Sequence, residues 1–380
     1  MYKDLIDFVK NLYGTNGFIP LHAPTFKKRD REYVLDAIDS TFVSSVGEYV
    51  NRFERDLAAF TGASRAIATV NGTTALQVAL KLVGVQWNDE VITQALTFVA
   101  TANAIAHLGA APVFVDVDKD TMGLSPDALD AFFVENAILK NNDVYNKQTG
   151  RRIAAILPMH TFGHPCRIKR IVEIAKTWSI PVVEDAAEAI GSWSGEKHCG
   201  IFGELGVLSF NGNKTITCGG GGAILTNDEN LADRAKHLTT TAKIPHPWEF
   251  EHDEVGYNYR LPNLNAALAC AQLERLPEII REKREIAHAY KDFFASREWG
   301  QFMVEPQNTQ SNYWLCTIVL NNTSSRDTFL AATNAAGVMT RPAWKLMSDL
   351  PMYSSSYRGP LENSKWLQER VVNLPSSVRL

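Results

Sequence analysis

VLSFNGNKTITCGGGGAILT, residues 207–226, is the stretch that best indicates the architecture of this chain. Two apolar segments flank a turn-prone Asn-Gly-Asn, the single lysine Lys214 and a run of four glycines, residues 219–222. Glycine lets other groups approach the backbone closely, so this stretch can hold one amine against a bound carbonyl group. A hairpin with a solvated lysine at its tip would produce the same pattern. The upstream sequence VVEDAAEA, residues 182–189, favours the chemical interpretation.

Short apolar segments on both sides of this stretch alternate with helical patterns. They lie at residues 66–70, 90–93, 112–117, 153–157, 181–184, 207–210 and 223–226. Short apolar strands separated by helices are typical of an α/β protein with a mostly parallel sheet covered on both faces. Ser125 and Pro126 suit the N-cap and the first position of one of these helices. The polar segment 140–152 predicts a surface loop.

The pattern changes after residue 228. A helix is predicted at residues 264–276, and Pro277 is predicted to begin a second helix that ends near residue 295. A strand at 313–320 and a helix at 326–336 follow. We therefore predict a large domain with an N-terminal arm at residues 1–260 and a smaller α+β domain at residues 261–380.

Composition excludes several classes of protein. The chain has 380 residues, 45% of them hydrophobic and 21% charged, and its formal net charge of −4 provides no basic surface for nucleic acid. Its five cysteines are scattered without a CxxC pair, which is typical of reduced thiols in a cytoplasmic protein. We expect no signal peptide, because the N-terminal pattern is charged throughout, and no membrane span.

Residues 71–74, Asn-Gly-Thr-Thr, predict a binding site for an anion. They lie where a strand turns into a helix, and the free amides at a helix N-terminus attract negative charge. An ordinary helix cap would look the same. Neither common nucleotide motif is present: Asn213 separates Gly212 from Lys214, which breaks a P-loop, and Ile224 stands where GxGxxG needs glycine.

Other chemical candidates end predicted strands. Asp185 ends one, where ligands bind in open α/β sheets, and could either stabilise a protonated ring nitrogen or cap a following helix. Phe98 could cover a flat ring or belong to the core. His160 and His164 have a spacing that binds zinc on a helix, but the neighbouring glycine and proline favour a loop, so we expect no metal site.

Several segments together give a specific resemblance that covers nearly the whole chain. The segments are FERDLAAFTGA, NGTTAL, LTFVATANAI, PVFVDVD, ILPMHTFGHP, VVEDAAEAIGS, GVLSFNGNKTITCGGGGAILTND, GYNYRLPNLNAAL and NLPSS. The chain resembles the DegT/StrS-type sugar aminotransferases, which are fold-type-I pyridoxal phosphate enzymes acting on nucleotide-linked keto sugars. This resemblance implies a role for single residues at matching positions.

Lys214 would be the covalent attachment point of pyridoxal 5'-phosphate, and Asp185 would pair with its ring nitrogen. Glu188, where the family usually has Gln or His, would lie near the ring oxygen. The resemblance further implies that Phe98 stacks on the ring, that Gly72, Thr73 and Ser209 hold the phosphate, and that Asn258 reaches the phosphate of the other subunit in a homodimer with shared active sites. Candidates for contact with the sugar nucleotide are His164, Arg260, Arg341 and Trp344.

The resemblance implies ping-pong transamination. Glutamate would leave as 2-oxoglutarate, pyridoxamine 5'-phosphate would carry the amino group, and Lys214 would move protons as the group passes to C4 of a keto sugar. A sugar dehydratase of similar fold would carry histidine in place of Lys214. A non-catalytic binding or regulatory protein on the same fold would not need Lys214, Asp185 and Ser209.

Departures from the family pattern suggest the substrate. Four glycines at 219–222 replace the usual GEGG, and Gly47-Glu48 replaces Gly-Pro. With SFNGNK and RPAWKLMSDLPMY, they look like the subgroup of legionaminic acid and bacillosamine aminotransferases of bacterial surface-glycan synthesis. That subgroup implies a UDP-linked 4-keto-6-deoxy-N-acetylhexosamine. The alternative is a GDP- or dTDP-linked 4-keto sugar of the perosamine type.

Overall fold

The computed structural model describes residues 2–379, in which helices and strands alternate through the first half of the chain. The helices are α1 Lys3–Tyr13, α2 Lys28–Asp39, α3 Glu48–Thr61, α4 Gly72–Leu82, α5 Val99–Ala106, α6 Pro126–Asn136, α7 Ile168–Thr177, α8 Glu229–Thr239, α9 Asn263–Phe294, α10 Thr323–Ala335 and α11 Glu362–Gln368. The strands are β1 Arg65–Thr69, β2 Glu90–Gln94, β3 Ala111–Val115, β4 Ala137–Lys140, β5 Asp143–Asn146, β6 Ile153–Leu157, β7 Val183–Asp185, β8 Trp193–Ser194, β9 Lys197–His198, β10 Leu205–Ser209, β11 Gly222–Thr226, β12 Gly300–Phe302, β13 Thr309–Gln310, β14 Cys316–Leu320, β15 Arg341–Pro342 and β16 Val371–Leu374.

The central sheet has the strand order β1-β11-β10-β7, continued by β6-β2-β3. Parallel bridges between Ile156 and Val182 and between Met159 and Asp185 join the two parts. Strand β11 is antiparallel to both of its neighbours, whereas β10 pairs with β7 and β2 pairs with β3 and β6 in parallel. The predicted mostly parallel sheet is therefore confirmed.

Helices cover both faces of this sheet. Val207 packs into one hydrophobic cluster with residues of α4 and α8, while its neighbour Leu208 packs into another with residues of α3 and α9. Adjacent side chains of a strand point to opposite faces, so both faces are buried. This explains why the strands are apolar without alternation in the sequence. Ser125 caps α6 as predicted, accepting a hydrogen bond from the Ala128 N–H at 3.3 Å.

The C-terminal part contains an antiparallel sheet with the order β12-β14-β16-β15. Its core also includes Leu5 and Val9 of α1 and Ile19, together with Phe329 of α10. The N-terminal helix thus packs with the C-terminal sheet. The proposed boundary between residues 260 and 261 remains a prediction, but the first helix shares its core with the smaller part.

Two local predictions are wrong. Segment 140–152 is not simply a loop, because β4 and β5 form a hairpin around Asn141 and Asn142, which adopt φ of 51° and 67°. Asparagine tolerates this left-handed conformation better than most residues.

Pro277 does not begin a helix but lies inside α9, where it removes a backbone donor at a cost of about 3 kcal/mol. Leu276 and Ile279 are buried in one cluster on either side of it, and this packing offsets the cost.

Along residues 2–379, none of the helices combines the length and the apolar character that a membrane crossing requires.

Candidate active site

A pocket of about 330 Å³ lies at the carboxyl edge of the central sheet. Strands β1, β2, β7 and β10 run in one direction, so the residues that follow them meet there. Seven of the residues singled out in the sequence line this pocket, namely Gly72, Thr73, Phe98, Asp185, Glu188, Ser209 and Lys214, and so does Trp344. Asn258, Arg260, His164 and Arg341 lie outside its lining.

Lys214 is a buried lysine, not the solvated tip of a hairpin. Its residue is 9% exposed, and its Nζ lies 3.3 Å from Oε1 of Glu188 and 4.2 Å from the centre of the Trp314 ring. Its backbone N–H closes the turn by donating to the Asn211 carbonyl at 3.0 Å. The amine is therefore held in place at the pocket wall.

Glu188 is the carboxyl group beside this amine. Its side chain is almost fully buried, and its Oε2 accepts a hydrogen bond from the Phe162 N–H at 2.8 Å. The pKa of Glu188 is raised to about 7: burial is the main cause and the Asp185 charge adds to it, although Lys214 and the Phe162 N–H act to lower it. Glu188 can therefore carry a proton near neutral pH.

Asp185 is the second carboxyl group of the pocket. Its Oδ2 accepts a hydrogen bond from the Thr101 hydroxyl at 2.7 Å, and its Oδ1 accepts one from the Ala187 N–H at 3.1 Å. Burial raises its pKa, and the hydrogen bonds from Thr101 and Ala187 oppose this rise. The segment after Asp185 forms turns instead of the helix that it was expected to cap. A buried carboxylate held at this point can pair with a cationic ring nitrogen.

Glu184, the neighbour of Asp185, has a structural role. Its carboxylate lies 2.9 Å from Nε2 of His160 and accepts hydrogen bonds from the backbone N–H groups of Gly200, Phe202 and Gly203. Burial acts to raise the pKa of Glu184, but these contacts outweigh it and the pKa is lowered. The two adjacent acids therefore have different roles: Glu184 holds the loops after β6 and before β10 against β7, and Asp185 lines the pocket.

Neither histidine of the HTFGHP segment enters the pocket. His160 pairs with Glu184, and His164 is fully buried with its ring against Tyr313, the ring centres 5.3 Å apart. Burial lowers the pKa of His164 to about 4. The suggested contact between His164 and substrate therefore has no geometric support in this chain.

The N-terminus of α4, which was predicted to bind an anion, lies at the wall of the pocket. Asn71 caps this helix by accepting the Thr74 N–H at 2.9 Å, while Gly72 and Thr73 line the pocket beside Ser209. A Cβ on Gly222 would lie 2.5 Å from the Asn71 backbone, so the end of the glycine run lets β11 pass against this turn. The Asn71 cap is therefore observed, and anion binding by the same segment stays a prediction.

Of the aromatic residues that line the pocket, Phe98 and Trp344 are partly open, whereas Trp314 is buried. Phe98 is 46% exposed and lies 6.0 Å from the Trp344 ring, so it is not a core residue. Sequence reasoning missed Trp314, whose Nε1 donates to the Asn213 carbonyl at 2.7 Å and whose ring covers Lys214. Nothing in the spacing of the sequence indicates that contact. Thr101 was also missed, although its position three residues after Phe98 on α5 could have suggested it.

Asn258 and Arg260 lie outside the pocket of their own chain. Arg260 Nε donates to Asn258 Oδ1 at 3.0 Å, and Asn258 is exposed. Whether Asn258 serves a second subunit stays a prediction. Arg341 is exposed at the rim of a neighbouring cavity, and Trp344 lines both cavities.

One group of possible metal ligands lies near the surface outside the pocket. It consists of His237, Asp253 and Glu254. His237 pairs with Asp253 at 2.7 Å, and Arg234 pairs with Glu254 at 2.5 Å. Both carboxylates therefore already have a partner in the protein.

Comparison with known proteins shows the family of this chain. Residues 24–380 match the DegT/DnrJ/EryC1/StrS aminotransferase family. The chain is 37% identical over 361 residues to a GDP-perosamine synthase of Escherichia coli O157:H7, covering 94% of this chain and 93% of that protein. It is 34% identical over 363 residues to a GDP-perosamine synthase of Vibrio cholerae, covering 94% of each.

The fold has close counterparts among solved structures. The aminotransferase TlmJ from Streptoalloteichus hindustanus superposes with a TM-score of 0.86 at 28% identity, covering 95% of this chain and 94% of that one. This confirms the predicted fold-type-I architecture. The expected legionaminic acid or bacillosamine subgroup is not confirmed, because these relatives are named for a GDP-linked product. The chain belongs to the DegT/DnrJ/EryC1/StrS aminotransferase family and is a pyridoxal phosphate-dependent sugar aminotransferase.

Proposed function

We propose that this protein transfers the amino group of glutamate to C4 of a GDP-linked 4-keto-6-deoxy sugar, a reaction of the perosamine type. The choice of GDP is supported by two relatives named GDP-perosamine synthase, which are 37% and 34% identical to this chain over nearly its full length. The UDP-linked N-acetyl sugar expected from the glycine run and the RPAWKLMSDLPMY segment lacks comparable support. The reaction belongs in the cytoplasm, where nucleotide sugars are built.

The pocket offers the groups that pyridoxal phosphate needs. The N-terminus of α4, with Gly72, Thr73 and Ser209, would hold the phosphate. Asp185 would pair with the ring nitrogen, and Phe98 would cover one face of the ring. When bound, the cofactor supplies an electrophilic carbonyl and an electron sink for the carbon that loses its proton.

Lys214 would carry out the proton transfers. Its amine is buried beside Glu188 and under Trp314, so it is held within the pocket and shielded from water. An amine held in this way can take a proton from the carbon that loses it and deliver that proton to the acceptor carbon on the same side. Glu188 would hold the hydrogen bond to the ring oxygen through its own proton, which its raised pKa keeps available.

We also propose a homodimer in which Asn258 completes the partner's site. Apolar side chains along α2 and the loop after it are largely exposed, namely Leu35, Ile38, Phe42 and Val46. A surface of this kind on an α/β enzyme marks an interface, and a two-fold dimer is the commonest symmetric solution. Asn258 forms a bridge with Thr240, two residues before Arg260 bridges to Thr69 of β1, and its exposed side chain is open to a second chain.

A competition assay tests the substrate. Equal amounts of UDP-, GDP- and dTDP-linked 4-keto-6-deoxy sugars are offered with glutamate, and the amino products are followed by mass spectrometry. We expect the GDP-linked amino sugar to dominate. A dominant UDP- or dTDP-linked product would refute the choice of nucleotide, while loss of the yellow colour on adding glutamate would still support the cofactor chemistry.

A further inference from the structure

Two buried threonine hydroxyls form a chain with the carboxyl group of Asp185. The Thr101 hydroxyl donates to Asp185 Oδ2 at 2.7 Å, and its oxygen lies 2.7 Å from the hydroxyl oxygen of Thr97. Both threonines are fully buried, and Asp185 is 2% exposed at the wall of the pocket. Thr101 lies on α5, whose N-cap position is held by Phe98. One short helix therefore carries both the aromatic candidate of the pocket and a hydrogen-bond donor to its acid.

Thr101 uses its hydroxyl differently from other buried threonines of the helices. Thr61, Thr239 and Thr333 each donate to the backbone carbonyl four residues earlier, at 2.9, 2.7 and 2.9 Å. This is the usual bond of a threonine inside a helix. The Thr101 hydroxyl donates instead to a carboxylate of another element, 84 positions away in the chain. Its hydrogen bond therefore serves the pocket and not the helix that carries it.

The direction of this hydrogen-bond chain depends on the charge of Asp185. Each of the two oxygen–oxygen contacts needs one hydrogen, and each threonine supplies one. When Asp185 is ionised, Thr97 donates to Thr101, and Thr101 donates to Asp185. When Asp185 is protonated, the chain reverses, and its last hydrogen goes to the Met159 sulfur, 2.9 Å from the Thr97 hydroxyl. Sulfur is a weak acceptor, so the chain favours the ionised carboxylate.

Burial acts against the charge of Asp185. It raises the pKa of this carboxyl group, while the hydrogen bond from Thr101 and, to a smaller extent, that from the Ala187 N–H act to lower it. A hydrogen bond to a charged group is stronger than one between neutral groups, and a donor that itself accepts a hydrogen bond is strengthened by it. Thr101, with Thr97 behind it, therefore opposes the effect of burial more than the other neighbours of Asp185 do.

We propose that Thr101 is a positioning residue for transamination: its hydroxyl, supported by Thr97, keeps Asp185 charged and fixed in place to pair with the ring nitrogen of pyridoxal phosphate. A neutral acid at this point would stabilise a protonated ring nitrogen less, and the ring would be a weaker electron sink. This inference rests on the proposed role of Asp185 and adds the hydroxyl group on which that role depends.

The test compares how the cofactor-free, full-length protein binds pyridoxal phosphate and its deaza analogue, in which a CH group replaces the ring nitrogen. The ratio of the two dissociation constants isolates the contribution of the ring nitrogen, because the phosphate contacts and the bond to Lys214 are common to both. We expect the wild type to prefer pyridoxal phosphate, and Thr101→Val to reduce this preference about tenfold. Thr101→Ser keeps the hydroxyl and should retain most of the preference.

Thr61→Val is the matched control, because it also removes a buried helical hydroxyl but lies at the end of α3, outside the pocket lining. Its preference should change less than about twofold. Asp185→Asn separates the two proposals. If the wild type shows no preference, or Asp185→Asn keeps it, the role of Asp185 and the role of Thr101 are both refuted. If Asp185→Asn loses the preference and Thr101→Val keeps it, even with weaker binding of both compounds, only the role of Thr101 is refuted.

Discussion

Replacing Glu188 by glutamine should change how the stability of this protein depends on pH. The carboxyl group is buried between Lys214 Nζ at 3.3 Å and the Phe162 N–H at 2.8 Å. Glutamine has nearly the same shape and can accept the Phe162 N–H, but it has no proton to release. Glu188→Gln therefore removes one titration while it preserves the packing of the pocket.

The sign and size of the effect follow from the pKa of Glu188. Burial raises this pKa from 4.5 to about 7, so the native protein keeps a proton that the unfolded chain has already released. Between these two values the native state binds more protons, and its stability falls as the pH rises. At 1.36 kcal/mol per pKa unit, the total fall is about 3 kcal/mol. The variant lacks this fall.

Equilibrium unfolding in urea, carried out on the cofactor-free protein from about pH 4.5 to about pH 8, measures this effect. The free energy of unfolding of the variant minus that of the wild type should increase by about 3 kcal/mol across the window. Asp185, whose pKa is also raised, contributes to both proteins and largely cancels in the difference. Glu173→Gln, at an exposed position on α7, controls for the general effect of this replacement. A difference that stays flat through the window would show that Glu188 is ionised in the native protein.

Three further predictions concern the proposed chemistry. Lys214→Ala should lose turnover by at least about a thousandfold while retaining its fold, and appreciable multiple turnover would exclude its role in proton transfer. Asp185→Asn should lower kcat on the order of a hundredfold or more, since breaking a buried charge pair costs about 3–5 kcal/mol; near-wild-type kcat would leave Asp185 a purely structural residue. Mixing a Lys214→Ala chain with an Asn258→Ala chain should restore activity, because each mixed dimer regains one intact site. A fully active monomer in sedimentation analysis would refute the shared site.

Local chemistry made much of the fold predictable from the sequence. The apolar strands, the Ser125 cap of α6 and the turn before Lys214 depend on residues that are near one another in the chain. The same local rules give wrong predictions for the hairpin at 137–146 and for the continuous helix α9. In the hairpin, two asparagines adopt a conformation that composition alone does not reveal. In α9, core packing on both sides of Pro277 outweighs the local preference of proline.

The sequence by itself determined which groups could carry the chemistry: an amine among glycines, a carboxylate at a strand end and a helix N-terminus beside it. Only the tertiary structure decided which of them meet. Thr101 contacts Asp185 across 84 positions, and Trp314 lies on Lys214 although nothing in their spacing indicates it. The fold also buries His164 away from the pocket, with its ring against Tyr313. The physical reason is that periodicity reports which face of an element is buried, whereas contacts between distant elements depend on strand order and packing, which no local pattern encodes.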